Sequence, residues 1–234
     1  IVLMPNAKNY LEKRGIDSQK IVWIPNSVDL ERFDNPGPLD PFLDVAKTFS
    51  KYKDKFKVIY TGAHGIPNEL DTIIHRGIHL PTIPSDIHFI FIGEGTEKQR
   101  LKLKAKKLRL NNITFCDSVP KKSVPTVLSF ADCLVISMLN LNIYHYGVSL
   151  NKFYDYLASA KPIIMAGNPK NNIIKDAKAG IVVEPENPGD LAQSILKIEK
   201  MALDEREKLG ANGRAYVEKY YTTQVIGEKL EEIL

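Results

Sequence analysis

Tyr146–Ile164 reads YGVSLNKFYDYLASAKPII. It holds a tight Gly-Val-Ser turn, a helix and an abrupt return to strand. A turn that feeds a helix start presents unpaired backbone N–H groups and the positive end of the helix dipole. Lys152 adds a full positive charge beside them. Asn151 and Asp155 stand four residues apart, so a helix puts them on one face. Amides and a lysine suit the phosphates of a nucleotide diphosphate, and a carboxylate suits ribose hydroxyls. An ordinary reading competes, because helix starts commonly carry Ser, and one Lys and one Asp on a solvated face need no ligand. Locally the ordinary reading weighs more, and the surrounding chain has to decide.

Short apolar runs flank that stretch on both sides. Lys57–Thr61 (KVIYT), His88–Gly93 (HFIFIG), Ile113–Cys116 (ITFC) and Cys133–Ser137 (CLVIS) precede it as strands. Pro162–Ala166 (PIIMA) ends it, and Gly180–Val183 follows. Helices are predicted between them: from Pro67 to about Leu80, from Gly95 to about Leu110, over Ser123–Phe130, and over Ile173–Lys178. Three more, at Asn187–Lys200, 204–220 and 222–234, finish the chain. Strands of a few apolar residues alternating with longer helices describe an α/β fold, a doubly wound parallel sheet with right-handed crossovers and helices on both faces. Ligands of such sheets bind where loops leave the carboxyl ends of strands. Gly62–Gly65, Gly93–Gly95 and Gly147–Ser149 all fall at those ends, which shifts the balance toward a ligand crevice.

Before the regular part, Ile1–Met4 reads as a short buried strand. Asn6 is placed to cap a helix through about Lys13, with Gly15 to stop it. Lys20–Ile24 reads as a strand and Ile24–Phe33 as a turn closed by the Asn26 and Asp29 side chains. A helix is predicted over Pro41–Ser50. The chain opens on a strand-like IVLM without an initiator Met, which reads as an excised fragment.

The 234 residues suffice for a substantial core, and 44% hydrophobic and 26% charged residues argue for a globular chain rather than a disordered one. A net charge of +4 tolerates anionic ligands without demanding nucleic acid. Cys116 and Cys133 have no metal-ligand spacing and no disulfide framework, so a reducing compartment is the default. No apolar run approaches the roughly 20 residues of a spanning helix. Gly62-x-x-Gly65 can cradle a phosphate, but it has neither dinucleotide-fingerprint nor P-loop spacing. His64 lies in that turn and stands above the other histidines as a candidate. Lys98–Arg109 carries seven basic residues over an apolar stripe of Leu101, Ala105, Leu108 and Leu110. A solvated flank explains it more simply than an anionic surface, and the absence of aromatics weakens nucleic-acid binding. His75 and His79 share a helix face but lack a third ligand. No G-x-S-x-G elbow points to a hydrolase.

In order and spacing these segments resemble the C-terminal, donor-binding half of a GT-B glycosyltransferase of the family 4 type. IPNSVDLERF at Ile24–Phe33 is similar to that family's hinge segment. YTGAHG at Tyr60–Gly65 and FIGEG at Phe91–Gly95 are similar to its glycine turns. ITFCDSV at Ile113–Val119 resembles its nucleobase loop. NKFYDYLASAKPII resembles its donor-site helix and strand, and GANGRAYVEKYYT at Gly210–Thr222 its closing helices. The pattern S-x-N-K-x-x-[DE]-Y looks closest to enzymes of bacterial surface polysaccharide.

The resemblance implies one Rossmann-like half of a GT-B fold, with residues 1–20 as a remnant of a preceding domain and linker and 21–234 as the nucleotide-sugar domain. It implies retaining transfer of a sugar from a nucleotide donor, with no metal and no cofactor. Asp155 takes the place of the ribose-binding glutamate. Gly147, Val148 and Ser149 offer amides to the diphosphate and sugar, and Asp117, Ser118 and Val119 flank the base. Lys152 and His64 are the candidate catalytic groups. Gly62, Gly65, Asn68, Gly93, Gly95 and Asn151 complete the donor site. The family's Glu, seven residues, Glu pattern falls here on Gly147 and Asp155, and its usual Arg and Lys fall on Ala63 and Asn68. The expected partners are a nucleotide sugar and an N-terminal acceptor domain, not nucleic acid. The expected setting is the cytoplasm, with the inner membrane face as an option. A non-catalytic nucleotide-sugar-binding domain and an epimerase of the same fold remain as alternatives.

Overall fold

The structure, a computed structural model, describes residues 1–74 and 86–233. Six strands form one parallel sheet: β1 (Phe56–Thr61), β2 (Ile87–Ile92), β3 (Ile113–Cys116), β4 (Cys133–Ser137), β5 (Ile163–Ala166) and β6 (Gly180–Val183). Their order is β3-β2-β1-β4-β5-β6. The doubly wound α/β fold expected from the alternation is therefore the one observed. β1 pairs with β2 from Phe56↔Ile87 to Thr61↔Ile92, and on its other side with β4 at Val58↔Cys133 and Ile59↔Leu134.

The strands are apolar throughout because both faces of the sheet are covered. Ile59, Ile90, Leu134, Ile136 and Met165 point into one core. It is closed by α3 (Asp44–Lys51), α6 (Val124–Ser129), α7 (Asn151–Ala158) and α8 (Ile173–Asp176), and from the C-terminus by α10 (Leu203–Tyr220) and α11 (Thr223–Glu231). Val58, Tyr60, Phe89, Phe91, Val135 and Ile164 point into the other core, beneath α4 (Leu70–Thr72), α5 (Lys98–Lys107) and α9 (Pro188–Lys200). Burying a residue such as Phe91 or Ile136 completely contributes about 1.5–3 kcal/mol each, which makes these two layers the main stabilising term.

Several local expectations are corrected. Ile1–Met4 is not a buried strand: Ile1 is 70% exposed and Leu3 51%, and the segment makes a single bridge, Val2↔Trp23. Lys20–Ile24 is likewise not a regular strand: Lys20 ends a 3-10 turn, Ser18–Lys20, and Trp23 makes that bridge. α1 (Ala7–Glu12) forms where expected, but the Asn6 side chain does not cap it. Asp29 closes its turn by accepting from the Glu31 amide at 3.1 Å, ahead of α2 (Glu31–Asp34). Asn26 instead reaches 123 residues along the chain to Ser149. Pro67 opens a 3-10 turn, Ile66–Asn68, and Glu69 then takes a left-handed conformation at φ 42°, which ends that turn before α4 starts. The rest of the helix predicted to Leu80, and the His75–His79 pair, lie outside the described residues.

Candidate functional site

The strand order reverses between β1 and β4. Their following segments leave on opposite faces of the sheet, which opens a crevice at the carboxyl ends. A cleft of about 460 Å³ occupies it. Thr61, Gly62, Ala63 and Asn68 after β1 and Ile92, Gly93 and Glu94 after β2 form one wall. Ser118, Val119 and Val124 after β3, and Leu150, Asn151, Lys152 and Asp155 at the start of α7, form the other.

The two glycine turns are locked together. The Gly62 amide donates to Ile92 O at 3.0 Å and the His64 amide to Glu94 O at 2.8 Å, while His64 O accepts from the Glu97 amide at 2.9 Å. At Gly93, φ is +146° and a Cβ would stand 2.0 Å from Gly62 O. Only glycine permits that approach.

Lys152 lies at the centre of the cleft. Its Nζ donates to Tyr60 Oη and to Asn68 Oδ1, both at 2.8 Å, and stands 4.3 Å from the centre of the Tyr60 ring. Tyr60 in turn donates its hydroxyl proton to Ala63 O at 2.7 Å. Among the described residues no carboxylate pairs with Lys152, and burial without a counter-ion pulls its pKa down to about 7. One turn further on, Asp155 is half-buried and accepts no side-chain hydrogen bond among the described residues. Burial raises its pKa, against the pull of Arg32 and Lys121. Leu150, at the N-cap of α7, offers no side-chain acceptor, so the Asn151 and Lys152 amides have no partner among the described residues. The cleft thus offers one uncompensated cation, one uncompensated carboxylate and a helix N-terminus.

The other candidates are placed differently. Gly147, Val148 and Ser149 are not among the residues that line the cleft. The Gly147 amide is committed to Tyr144 O at 3.0 Å. The Val148 amide donates to Asn171 Oδ1 at 2.7 Å, and Asn171 Nδ2 returns a bond to Val148 O at 2.8 Å. Neither amide is therefore free for a phosphate, which corrects the role expected of them. Ser149 Oγ accepts from the Asn26 amide at 3.1 Å, and Ser149 O from Asn26 Nδ2 at 2.8 Å, so Ser149 ties the Ile24–Phe33 segment to the start of α7. At Gly147, φ is +94° and a Cβ would meet Pro5 Cδ at 2.7 Å and Asn171 Oδ1 at 2.8 Å. The space for a glutamate side chain at this position is filled.

His64 belongs to a buried cluster, not to the cleft. Its ring is fully buried among Tyr60, Phe91 and Phe115, and neither nitrogen has a partner among the described residues. Burial, followed by the charge of Lys98, lowers its pKa to about 4. The imidazole is therefore neutral at pH 7 and out of contact with the cleft, which corrects its candidacy as a catalytic group. Asp117 turns outward to Lys98 Nζ at 2.8 Å, and its amide donates to Asp44 Oδ2 at 2.9 Å; Ser118 and Val119 beside it do line the cleft. Gly65 lines a separate small hollow with Asp71 and Arg100, and Gly95 packs on the His64 backbone.

Tyr60, Glu94 and Asn171 escaped the sequence reading. Tyr60 carried one usable signal: a buried tyrosine in an otherwise apolar strand needs a partner for its hydroxyl. Among the described residues no three His, Cys, Asp or Glu side chains converge as a metal site requires, and no helix is long and apolar enough to cross a membrane.

Strand order and crevice define a doubly wound α/β domain of the class that binds ligands at its switch point. Within that class, residues 45–216 match the family described as glycosyl transferases group 1, and the chain belongs to that family. No curated protein sequence matches it. Among solved structures it is similar to Anabaena HepE in complex with UDP and glucose, at 14% identity and a TM-score of 0.79, over 100% of this chain and 62% of that one. A glycosyltransferase from Rickettsia africae is similar at 18% identity and 0.78, over 99% and 61%. Sucrose-phosphate synthase from Thermosynechococcus elongatus is similar at 18% and 0.76, over 99% and 56%. The chain thus spans about three-fifths of the length of such structures.

Proposed function

We propose that this chain is the donor-binding domain of a retaining, family 4-type glycosyltransferase that takes its sugar from a nucleotide sugar, in polysaccharide or glycoconjugate synthesis. The observation that carries the reading is the pairing, on the first two turns of α7, of an unneutralised Lys152 with an unneutralised Asp155. Lys152 and the α7 amides bind the diphosphate and stabilise the charge that grows on it as the sugar leaves. Asp155 accepts from the ribose hydroxyls, and the Ser118–Val119 backbone borders the base. The chemistry needs no metal. The acceptor is held by an N-terminal domain of the whole protein, so the 234-residue chain binds donor without turnover. The whole protein works in the cytoplasm, at the inner membrane face where its acceptor is lipid-borne.

A second reading is favoured by one observation. The position where the family carries a glutamate is Gly147, whose side-chain space is taken by Pro5 and Asn171. A non-catalytic nucleotide-sugar sensor, or an epimerase, accounts for that loss. A panel of UDP, GDP and ADP sugars with the whole protein decides between them. A specific donor raises thermal stability, by about 2.7 kcal/mol at a hundredfold excess over Kd. Glycosylated product selects the transferase, a released epimerised sugar the epimerase, and binding without either the sensor. No stabilisation by any nucleotide sugar rejects all three.

A further inference from the structure

Among the described residues Lys152 is held without any anionic group. Tyr60 Oη and Asn68 Oδ1 accept from its Nζ at 2.8 Å each, and the Tyr60 ring lies beneath it. The titratable groups around it are otherwise engaged or distant. Glu94 on the opposite wall pairs with Lys98 at 2.6 Å, as does Asp117 at 2.8 Å. Glu69, next to Asn68, turns to Thr72 Oγ1 at 3.4 Å. Asp155, a turn along α7, makes no ion pair with it among the described residues, and Tyr156 on the same helix accepts from the Thr61 amide at 2.7 Å. His64 is neutral behind Tyr60. A carboxylate holding Nζ would cancel the charge that a ligand needs. A phenol and an amide carbonyl orient it without cancelling it.

We propose that Tyr60 and Asn68 are positioning residues that keep the Lys152 amine oriented in the cleft through neutral acceptors only, so that the ligand's diphosphate becomes its counter-ion. The proposal rests on the donor-site reading above. Burial among neutral partners lowers the pKa of the Lys152 amine to about 7. A bound diphosphate favours the charged form, so binding takes up a proton from solvent. The proton comes from buffer, and no bond other than N–H is made.

The test is calorimetric titration of UDP into the 234-residue chain at pH 8, where the free terminal phosphate is already ionised, in two buffers of different protonation enthalpy. The expected uptake approaches one proton per UDP and vanishes in Lys152→Met. Asn68→Asp places a carboxylate on Nζ. It is expected to remove the uptake and weaken UDP by about tenfold or more while leaving the melting temperature near that of the parent chain. Tyr60→Phe keeps the ring, loses one acceptor, and weakens UDP by a few-fold, about the loss of one hydrogen bond to a charged group. UDP binding without proton uptake, undiminished in Asn68→Asp, overturns this proposal and leaves the donor site standing. Failure of UDP, GDP, ADP and pyrophosphate alike to bind overturns both.

Discussion

Lys98 and Lys152 occupy equivalent places in the architecture. Each stands in the first turn of a helix that follows a strand's carboxyl end, and each flanks the same crevice. Lys98 is 3% exposed and saturated: Glu94, Asp117 and the Cys116 carbonyl accept from it at 2.6, 2.8 and 3.0 Å. Its pKa is raised, because those partners outweigh burial, which alone lowers it. Lys152 meets burial with neutral partners only and is pushed the other way. Two lysines at helix starts on one end of the sheet, Lys98 buried and Lys152 half-buried, thus divide the work. The neutralised one holds loops together, and the unneutralised one waits for an anion. Charge count could not distinguish them; the company each lysine keeps does.

The contrast breaks most readily at Lys152. In the whole protein, Lys152→Met should lower kcat by about 10²–10³, the usual cost of one preorganised group at the site of developing charge. The melting temperature of the free protein should hold or rise, since a half-buried amine without a counter-ion among the described residues has been removed. A full kcat would make Lys152 as structural as Lys98.

His64 lies near both lysines, and burial and the Lys98 charge hold its pKa near 4 against an ordinary 6.5. The unfolded chain therefore takes the proton first. Stability is whole above pH 6.5, falls as pH drops through the interval to about 4, and is flat below it, with a total loss on the order of 3 kcal/mol for this residue. His88, stacked on Tyr52 at 3.5 Å and also shifted to about 4, adds its own loss over the same interval. Urea melts of the parent chain and His64→Phe between pH 7 and 4.5 should show a shallower decline in the variant. Parallel curves would mean that His64 takes up its proton without cost.

The smallest effect belongs to the saturated partner. Lys98→Met should destabilise by about 1–2 kcal/mol, limited because Glu94 and Asp117 keep access to water, and should leave UDP affinity near that of the parent chain. Chemical denaturation and calorimetry check the two halves separately. A large loss of affinity with intact stability would reverse the roles assigned to the two lysines.

The fold was legible where apolar runs are short, uniform and regularly spaced. All six strands of the sheet coincide with such runs, since strands covered on both faces cannot hide their composition. The same logic misread Ile1–Met4. An apolar run reports that burial is favourable, not that a cover exists, and no strand ladder forms on that segment. The position of the cleft at the strand ends was legible for the same reason as the sheet. Side-chain direction within it was not. His64 points into a cluster built by Phe91 and Phe115 from two other strands, and Asn171 reaches Val148 from beyond β5. Both outcomes depend on partners distant in sequence, which local pattern does not encode. Asn26 is the sharpest case: its chemistry suits a local turn, yet its bonds go to Ser149.

That long tie has a consequence for the order of assembly. The Ile24–Phe33 segment is pinned by Ser149 through Asn26 and, two residues later, by Val28, whose amide donates to Tyr221 O and whose carbonyl accepts from the Thr223 amide. On a ribosome the strands can pair as they emerge, but Val28 cannot make these bonds until Tyr221 and Thr223 have appeared. Closing such long loops comes late in folding. A nascent or truncated chain ending before Tyr221 therefore lacks the second anchor of this segment.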